Sequence, residues 1–558
     1  MVVSVKRLSY RYPYSEKRAV DHVSFDVRRG ETVMLTGNSG SGKSTVGGLL
    51  SGVIPQLYKD GQLSGEISFA EDGGRQVGLV TQIPDNQLFG YRVEDAVVFG
   101  MENLGLSREE IDSRLNRVLD LFRIGHLRER AVSSLSGGQK QIVCIASVLC
   151  MEPDLLIMDE PVSSLDPAGK ELVREVLKRL KAQGQTVLLI DQNLDWPAGA
   201  VDRVIGIDEG RIAFDGSTEA FLRNEALYLR LGVTVPQAVE LYHHARLRGD
   251  FPLFLGLEEA ERVLSGMELI VPEPPLRPAE KEAEPALAIE GLVKDYEGFR
   301  ALKGVNTRFM PGRITAVLGQ NGSGKTTLVR HLIRLVKPTS GTIRYRGRSI
   351  GDKSPAEMAR SVAYVFQHPD QMIFEDSVWK EVTFSVRSME LPWREEQVTE
   401  LLRAHGLLEF KEAFPNNLSM GRKHMLTILS VLLSDPDVVI LDEPTLGMDR
   451  GLKAMLADLM KRLAGEGKTL IVISHEMTFV AETADDAIVM KDGNVLVQGP
   501  VADVFRREDL LDQARIKLPE ITRLGNRLGV PDILSIPGFL DCLTGNEAAR
   551  KGGDGGEV

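Results

Sequence analysis

The stretch that decides the fold is "ETVMLTGNSGSGKST" at residues 31–45, which has the pattern of a buried strand, a glycine-rich loop and the start of a helix. A second copy, "RITAVLGQNGSGKTT", stands at residues 313–327. Glycines let backbone N–H groups wrap around phosphate oxygens, and a helix that begins at the loop adds a favourable dipole. Each stretch therefore predicts a P-loop, a binding site for nucleotide phosphates. The alternative for either copy alone is a chance glycine turn.

Further segments recur in the same order, so the chain is a tandem repeat. "LSGGQ" (135–139) returns as "LSMGR" (418–422), and "LLIMDEP" (155–161) returns as "VVILDEP" (438–444). Short apolar strands alternate with helical segments in both halves, which is typical of sheets covered by helices on both faces. The fold class is therefore predicted to be α/β, with two tandem domains that each contain a mainly parallel sheet.

The repeat and the composition between its copies predict the domain boundaries. "TVPQAVELYHHARLRG" (234–249) is echoed by "KLPEITRLGNRLG" (517–529), so each α/β domain is followed by a short helical extension. A segment dense in proline and glutamate has little tendency to pack and predicts an extended linker. The predicted parts are domain 1 (1–225), a helical extension (226–270), the linker (271–285), domain 2 (286–506), a second helical extension (507–548) and a disordered tail (549–558).

Composition narrows the functional classes. The chain has 558 residues, 43% of them apolar and 26% charged, with a formal net charge of -12. That charge argues against a nucleic-acid backbone as the main partner. No apolar run is long enough to span a bilayer, and the first residues lack the pattern of a signal peptide, so we expect a cytosolic chain. The three cysteines lack metal-site spacing and are expected to be buried thiols.

Each P-loop is accompanied by an apolar strand that ends in two acids, Asp159-Glu160 in the first half and Asp442-Glu443 in the second. The carboxyl end of such a strand lies beside a P-loop in an open α/β sheet. The first acid can hold Mg²⁺ through water, and the second can polarise the attacking water. A lone acid pair would more often be a solvated strand end, but here it accompanies a P-loop in both halves.

The order of P-loop, Gln82 or Gln367, "LSGGQ" and "DEP" resembles the nucleotide-binding domain of ABC ATPases over nearly the whole chain. More narrowly, "VGLVTQIPDNQLFGYRVEDAVVFGMENLGL" and "VAYVFQHPDQMIFEDSVWKEVTFSV" resemble the ATPase subunits of energy-coupling factor transporters. That family's Pro-x-x-Gln after the first glutamine is met by Pro84 and Gln87. The second half departs from the pattern, with Met372 where the glutamine would fall.

The resemblance implies two ATP sites, each made from the P-loop of one half and the "LSGGQ" turn of the other, paired head-to-tail. It also implies roles for individual residues. The ATP-binding set is Gly37, Asn38, Ser39, Gly40, Ser41, Gly42, Lys43, Ser44, Thr45, Gly319, Gln320, Asn321, Gly322, Ser323, Gly324, Lys325, Thr326 and Thr327, with Ser136, Gly137, Gly138, Gln139, Ser419 and Gly421 from the turns and Tyr12 and Tyr296 stacking on adenine. The Mg²⁺ set is Ser44, Thr326, Gln82 and Gln367, with Asp159 and Asp442 acting through water, and the catalytic set is Glu443, His475, Gln367 and Glu160.

The two predicted sites are not equivalent. Met420 and Arg422 replace small or neutral residues where a turn must let its backbone approach the γ-phosphate. The resemblance places a histidine after the strand that follows the acids, and the second half has His475 while the first has Gln192. When the halves pair head-to-tail, both changes belong to the ATP site that contains the first P-loop. This predicts one hydrolytic site and one site that mainly holds ATP. The alternative is neutral variation at tolerant positions.

The resemblance also implies partners. An integral membrane subunit would dock near residues 84–101 and 369–386, and a separate membrane component would bind a vitamin or a metal ion. The chain would then work peripherally at the cytoplasmic face of the cell membrane.

The alternatives are a fused ATPase of a sugar or peptide transporter and, less fittingly, a ribosome-associated tandem ATPase, whose halves are joined by a long charged helical segment. A chromosome-maintenance ATPase would need inserted coiled coils, which the sequence lacks.

Overall fold

The computed structural model describes residues 1–13, 15–70, 77–163, 165, 167–246, 252–267, 269–271 and 284–543. Contacts divide the chain into two compact units, Met1–Pro236 and Gln237–Val558. Most of the predicted linker at 271–285 and the whole predicted tail at 549–558 lie outside the described residues.

The first unit is an α/β domain. Its strands are β1 (Val3–Arg11), β2 (Val20–Val27), β3 (Thr32–Thr36), β4 (Gln62–Phe69), β5 (Val77–Val80), β6 (Leu155–Asp159), β7 (Val187–Ile190), β8 (Arg203–Asp208) and β9 (Arg211–Ser217). Its helices are α1 (Lys43–Leu50), α2 (Val53–Leu57), α3 (Val93–Asn103), α4 (Arg108–Phe122), α5 (Gly137–Leu149), α6 (Pro167–Ala182), α7 (Thr218–Leu222) and α8 (Glu225–Arg230). One sheet has the order β5-β6-β7-β3-β8-β9 and is parallel except for β9, and an antiparallel sheet has the order β2-β1-β4.

The second unit repeats this architecture. Its strands are β10 (Leu287–Tyr296), β11 (Phe299–Phe309), β12 (Ile314–Leu318), β13 (Ser340–Tyr345), β14 (Arg348–Ser349), β15 (Val362–Val365), β16 (Val438–Asp442), β17 (Thr469–Ile473), β18 (Asp486–Lys491) and β19 (Asn494–Pro500). Its helices are α9 (Gln237–Ala245), α10 (Leu257–Leu264), α11 (Lys325–Leu332), α12 (Pro355–Ala359), α13 (Val378–Ser388), α14 (Glu395–Ala404), α15 (Met420–Leu432), α16 (Arg450–Gly465), α17 (Met477–Thr483), α18 (Val501–Phe505), α19 (Glu508–Gln513), α20 (Glu520–Arg527) and α21 (Ile536–Asp541). The main sheet has the order β15-β16-β17-β12-β18-β19, and a smaller antiparallel sheet has the order β11-β10-β13-β14.

Continuous apolar runs fit central strands that are covered on both faces. Every residue of β3, β7 and β12 is buried, as strands covered by helices on both faces require. β3 lies between β7 and β8, and β12 lies between β17 and β18, so the strand that precedes each P-loop is central in its sheet. The predicted α/β class with mainly parallel sheets is confirmed, and both P-loops lie at the strand ends where open α/β sheets bind ligands.

Helices from both predicted extensions pack together within the second unit. α9 and α10, from the extension of the first half, share a buried core with α20 and α21. The backbone N–H of Ala238 donates to Glu520 Oε2 at 3.3 Å, and that of Ile521 donates to Gln237 Oε1 at 3.1 Å. The first turns of α9 and α20 are thus capped reciprocally by side chains, which satisfies donors that a helix start leaves unpaired. The part of the first half's extension that begins at Gln237 is therefore held in the second unit, while α8 belongs to the first unit.

Candidate functional site

Tight glycine turns join β3 to α1 and β12 to α11. Gly37 has a φ of 145° and Gly319 a φ of 148°, a region that favours glycine. A Cβ on Gly37 would lie 2.0 Å from the carbonyl oxygen of Ile207, and one on Gly319 would lie 2.4 Å from that of Met490. The strand beside each loop therefore leaves room for glycine alone. Of the other predicted P-loop residues, 38–42 and 320–324 lie on these two turns, and 43–45 and 325–327 begin α1 and α11.

A buried lysine begins the helix after each loop. Lys43 Nζ donates to the carbonyl oxygens of the first two loop residues at 2.8 Å each, and Lys325 Nζ does so at 2.6 and 3.0 Å. Burial lowers the pKa of Lys43, while the nearby carboxylates of Glu160 and Asp159 oppose that shift. Within the described residues, the buried hydroxyls of Ser41 and Ser323 lack a hydrogen-bond partner. A buried cation and spare donors on a glycine turn suit a phosphate group.

In the first half the predicted residues come together at the end of β6. Ser44 Oγ donates to Asp159 Oδ1 at 3.2 Å, and Gln82 Nε2 donates to Glu160 Oε2 at 2.8 Å. Glu160 has a φ of 45°, a left-handed conformation that is costly for a residue with a Cβ and is common at functional sites. Hydroxyl, amide and carboxylate oxygens are ligands that Mg²⁺ accepts beside nucleotide phosphates, so this set fits the predicted ion.

In the second half the acids have different partners. Glu443 has a φ of 49°, and its Oε2 accepts a hydrogen bond from the backbone N–H of His475 at 3.1 Å. The ring Nε2 of His475 lies 3.2 Å from the other carboxylate oxygen of Glu443. Thr326 is the second residue of α11, and Gln367 lies just beyond the end of β15. Histidine and glutamate, predicted separately, are thus in contact.

Burial raises the pKa of the acid beside each P-loop. The pKa of Glu160 rises to about 7, mainly through burial and further through the charges of Asp191 and Asp159. The pKa of Glu443 rises to about 8, again mainly through burial, which the hydrogen bond from His475 and the charge of Lys325 partly oppose. Such shifts arise where water is excluded, and they are frequent among acids and bases at active sites.

The two "LSGGQ"-type turns differ in their hydrogen bonds. Ser136 and Gln139 cap α5 reciprocally, with Gln139 N–H donating to Ser136 Oγ at 3.3 Å and Ser136 N–H donating to Gln139 Oε1 at 3.1 Å. Ser419 makes no such side-chain bond with any described residue at the start of α15, where Arg422 replaces the glutamine. The guanidinium of Arg422 instead lies 4.4 Å from the ring centroid of Phe410, a cation–π contact. The second turn has lost its capping box.

The two tyrosines predicted to stack on adenine have different surroundings. The hydroxyl of Tyr12 lies 3.1 Å from that of Thr45 in the first P-loop, and its ring packs edge-on against Tyr10 and Tyr58. Tyr296 is 46% exposed, with Lys294 Nζ 5.0 Å from its ring centroid. The contact with adenine stays a prediction for both rings.

Sequence reasoning missed a buried carboxylate in the first half. Asp191 accepts hydrogen bonds at 2.9 Å from Trp196 Nε1 and from the backbone N–H of Asn193, and burial raises its pKa. Its charge is the second cause of the raised pKa of Glu160. The sequence does contain a signal for this residue, because "IDQNLDW" stands in the first half where the second half has "ISHEMTF". An acid directly after a buried strand needs hydrogen-bond partners.

Comparison with known proteins agrees with this geometry. The family model described as "ABC transporter" matches residues 20–163 and 302–446. A Methanosarcina mazei ABC transporter ATP-binding protein is 37% identical over 97% of this chain and 95% of its own length. The HMP/thiamine import ATP-binding protein YkoD of Bacillus subtilis is 32% identical over 93% of this chain and 95% of its own. The archaeal ribosome recycling factor aABCE1, in the structure of its complex, is 21% identical to this chain. The match covers 90% of this chain with a TM-score of 0.58, and at this identity it shows the fold alone.

The chain therefore belongs to the ABC transporter family and carries two of its ATP-binding domains in tandem. Proteins of this class hydrolyse ATP to drive transport and work with membrane permease subunits. Among the described residues, no helix is both long and apolar enough to cross a membrane.

Proposed function

We propose that this chain energises an importer of the energy-coupling factor type from the cytoplasmic face of the membrane. An integral membrane subunit would receive the movement, and a separate membrane component would bind the substrate, a vitamin or a metal ion. The Bacillus subtilis relative, whose name gives HMP/thiamine import, supports a vitamin-type substrate. A fused ATPase of a sugar or peptide transporter is the nearest alternative, with the same chemistry and a different membrane subunit.

A single hydrolytic site is part of this proposal, and the contact between Glu443 and His475 is the observation that carries it. The first half has Gln192 in place of that histidine, and its Glu160 is bonded to the amide of Gln82. In the head-to-tail pairing that we propose, the capped "LSGGQ" turn at 135–139 closes the second P-loop. The uncapped "LSMGR" turn at 418–422 closes the first.

In the hydrolytic site, Glu443 orients the attacking water, and His475 and Lys325 stabilise the charge that develops on the γ-phosphate. Thr326, Gln367 and, through water, Asp442 would hold Mg²⁺, which would neutralise phosphate charge when bound. ATP contacts both halves at once, so it favours their closed state, and hydrolysis removes that preference. In this scheme the first site holds ATP with Lys43, Ser44, Gln82 and Asp159.

Exposed aromatic pairs support docking of a membrane subunit at the two predicted segments. Phe89 and Phe99 have ring centroids 5.3 Å apart, and Phe374 and Phe384 have theirs 5.7 Å apart. All four side chains are exposed, and neighbouring apolar groups on a surface are typical of interaction sites. Helix α13, which carries Phe384, also borders a groove of about 390 Å³. Its apolar lining includes Ile333, Leu335, Ala359, Phe366, Met389 and Val431.

Introducing charge at one aromatic pair tests this docking. The double substitution Phe374→Glu and Phe384→Glu should weaken association with the membrane subunit by at least about tenfold, because buried aromatic anchors carry much of an interface's energy. The measurement is the molar ratio of membrane subunit to chain after purification from detergent-solubilised membranes. Phe299→Glu, at another exposed phenylalanine on β11, is the matched control and should leave the ratio unchanged. Equal recovery with both variants would show that the pair lies outside the interface.

The proposed function itself is tested by purification and uptake. The tagged chain, expressed in its own cells, should fractionate with membranes and carry an integral membrane subunit in stoichiometric amount. Vesicles reconstituted with that complex should take up a labelled vitamin or metal ion when ATP is supplied on the chain's side. Uptake of a sugar or peptide instead would favour the alternative transporter class. Recovery with ribosomes and without a membrane subunit would contradict both.

A further inference from the structure

A tyrosine holds the metal-site acid of the second half. Tyr364, in β15, donates its hydroxyl hydrogen to Asp442 Oδ2 at 2.7 Å, with both residues buried. The corresponding residue of the first half is Leu79, which has no side-chain donor, and Asp159 there accepts from Ser44. The metal-site acids of the two halves are therefore oriented in different ways.

The surroundings of Tyr364 keep this donor in place. Its ring packs edge-on against Phe366 at a centroid distance of 4.8 Å. Arg330, on α11 after the second P-loop, places its positive charge near the tyrosine, whereas the first half has Gly48 at that position. The same ring forms part of the wall of the groove beside α13.

We propose that Tyr364 is a positioning residue for Mg²⁺ at the second ATP site, acting through its hydrogen bond to Asp442. This inference rests on the proposed function, because it takes the second site as the hydrolytic one. A hydrogen bond to one carboxylate oxygen restricts rotation of the Asp442 carboxylate. It thereby fixes the direction in which the other oxygen faces the metal site. Partners of this kind, which orient a metal-holding group without touching the metal, commonly tune metal affinity.

The test removes the hydroxyl and measures metal binding directly. Tyr364→Phe keeps the ring, its packing and its place in the groove wall. Binding of Mn²⁺, used as the probe for Mg²⁺, is followed by electron paramagnetic resonance with a non-hydrolysable ATP analogue present. We expect one of two Mn²⁺ ions to bind about three- to tenfold more weakly, as the loss of one hydrogen bond implies, with the other ion unchanged. The Mg²⁺ concentration for half-maximal ATP hydrolysis should rise by the same factor, with most turnover retained at saturating Mg²⁺.

Tyr345→Phe is the matched control. Tyr345, on β13, also donates its hydroxyl hydrogen to an aspartate, Asp437, which precedes β16. Loss of that hydrogen bond should leave Mn²⁺ binding unchanged, which separates positioning from a general effect on stability. Equal effects of the two variants, or unchanged Mn²⁺ binding in Tyr364→Phe, would overturn the proposal.

Glu443→Gln distinguishes failure of this proposal from failure of the single-site function. If that variant is inactive and Tyr364→Phe binds both Mn²⁺ ions normally, only the positioning role is wrong. If Glu443→Gln turns over normally, the second site is not the hydrolytic one, and the positioning role falls with it.

Discussion

Glu443→Gln should lower steady-state ATP hydrolysis by at least about 100-fold, while Glu160→Gln should leave most of it. The amide keeps the size of Glu443 but cannot accept a proton from the attacking water. Glu160, by contrast, has the amide of Gln82 as its partner, in a half that carries glutamine in place of the histidine. The measurement is phosphate release by the complex purified from membranes.

The paired design makes this result interpretable. Both substitutions are isosteric and both remove an acid whose pKa burial raises, so a general effect of neutralising a buried carboxylate would appear in both variants. Equal loss of activity in the two would mean that "LSMGR" is a tolerated variant and that both sites hydrolyse ATP. The family and the two P-loops would stand in either case.

Much of the fold and the candidate site could be predicted because local chemistry specifies it. A glycine loop between a buried strand and a helix has few uses, and the φ values of Gly37 and Gly319 show why glycine is needed there. The first acid of each pair, Asp159 or Asp442, ends an otherwise apolar strand, so the place of both pairs at the strand ends follows from the sheet. These features depend on neighbours in sequence, which is what pattern reasoning detects.

The interactions that escaped prediction join residues distant in sequence. The bond from Tyr364 to Asp442 links two strands that pair in the sheet, and tyrosine in an apolar run reads simply as core. Arg422 stands in the turn that must approach the γ-phosphate, but its guanidinium lies over the ring of Phe410, a contact that no spacing rule identifies. Packing of α9 against α20 depends on two segments nearly 300 residues apart in the chain, whose similarity indicates repetition without indicating contact.

His475→Gln should reduce ATP hydrolysis by about 100-fold or more, because a preorganised donor beside developing phosphate charge is lost in a water-excluded site. The substitution makes the second half resemble the first, where Gln192 stands at this position. The backbone N–H of residue 475 remains to hold Glu443, so the loss would report on the imidazole itself. The measurement is single-turnover hydrolysis with ATP saturating, which separates the chemical step from ATP binding.

The reciprocal substitution, Gln192→His, is the matched control and should leave turnover within about twofold of the unmodified chain. A histidine there would enter a half whose Glu160 lies in the field of the buried Asp191 and which, in the proposed pairing, faces the uncapped turn at 418–422. A large gain from Gln192→His would show that the histidine alone limits the first site. Activity retained in His475→Gln would remove the imidazole from the mechanism and leave Lys325 and the turn at 135–139 as the groups that stabilise the phosphate.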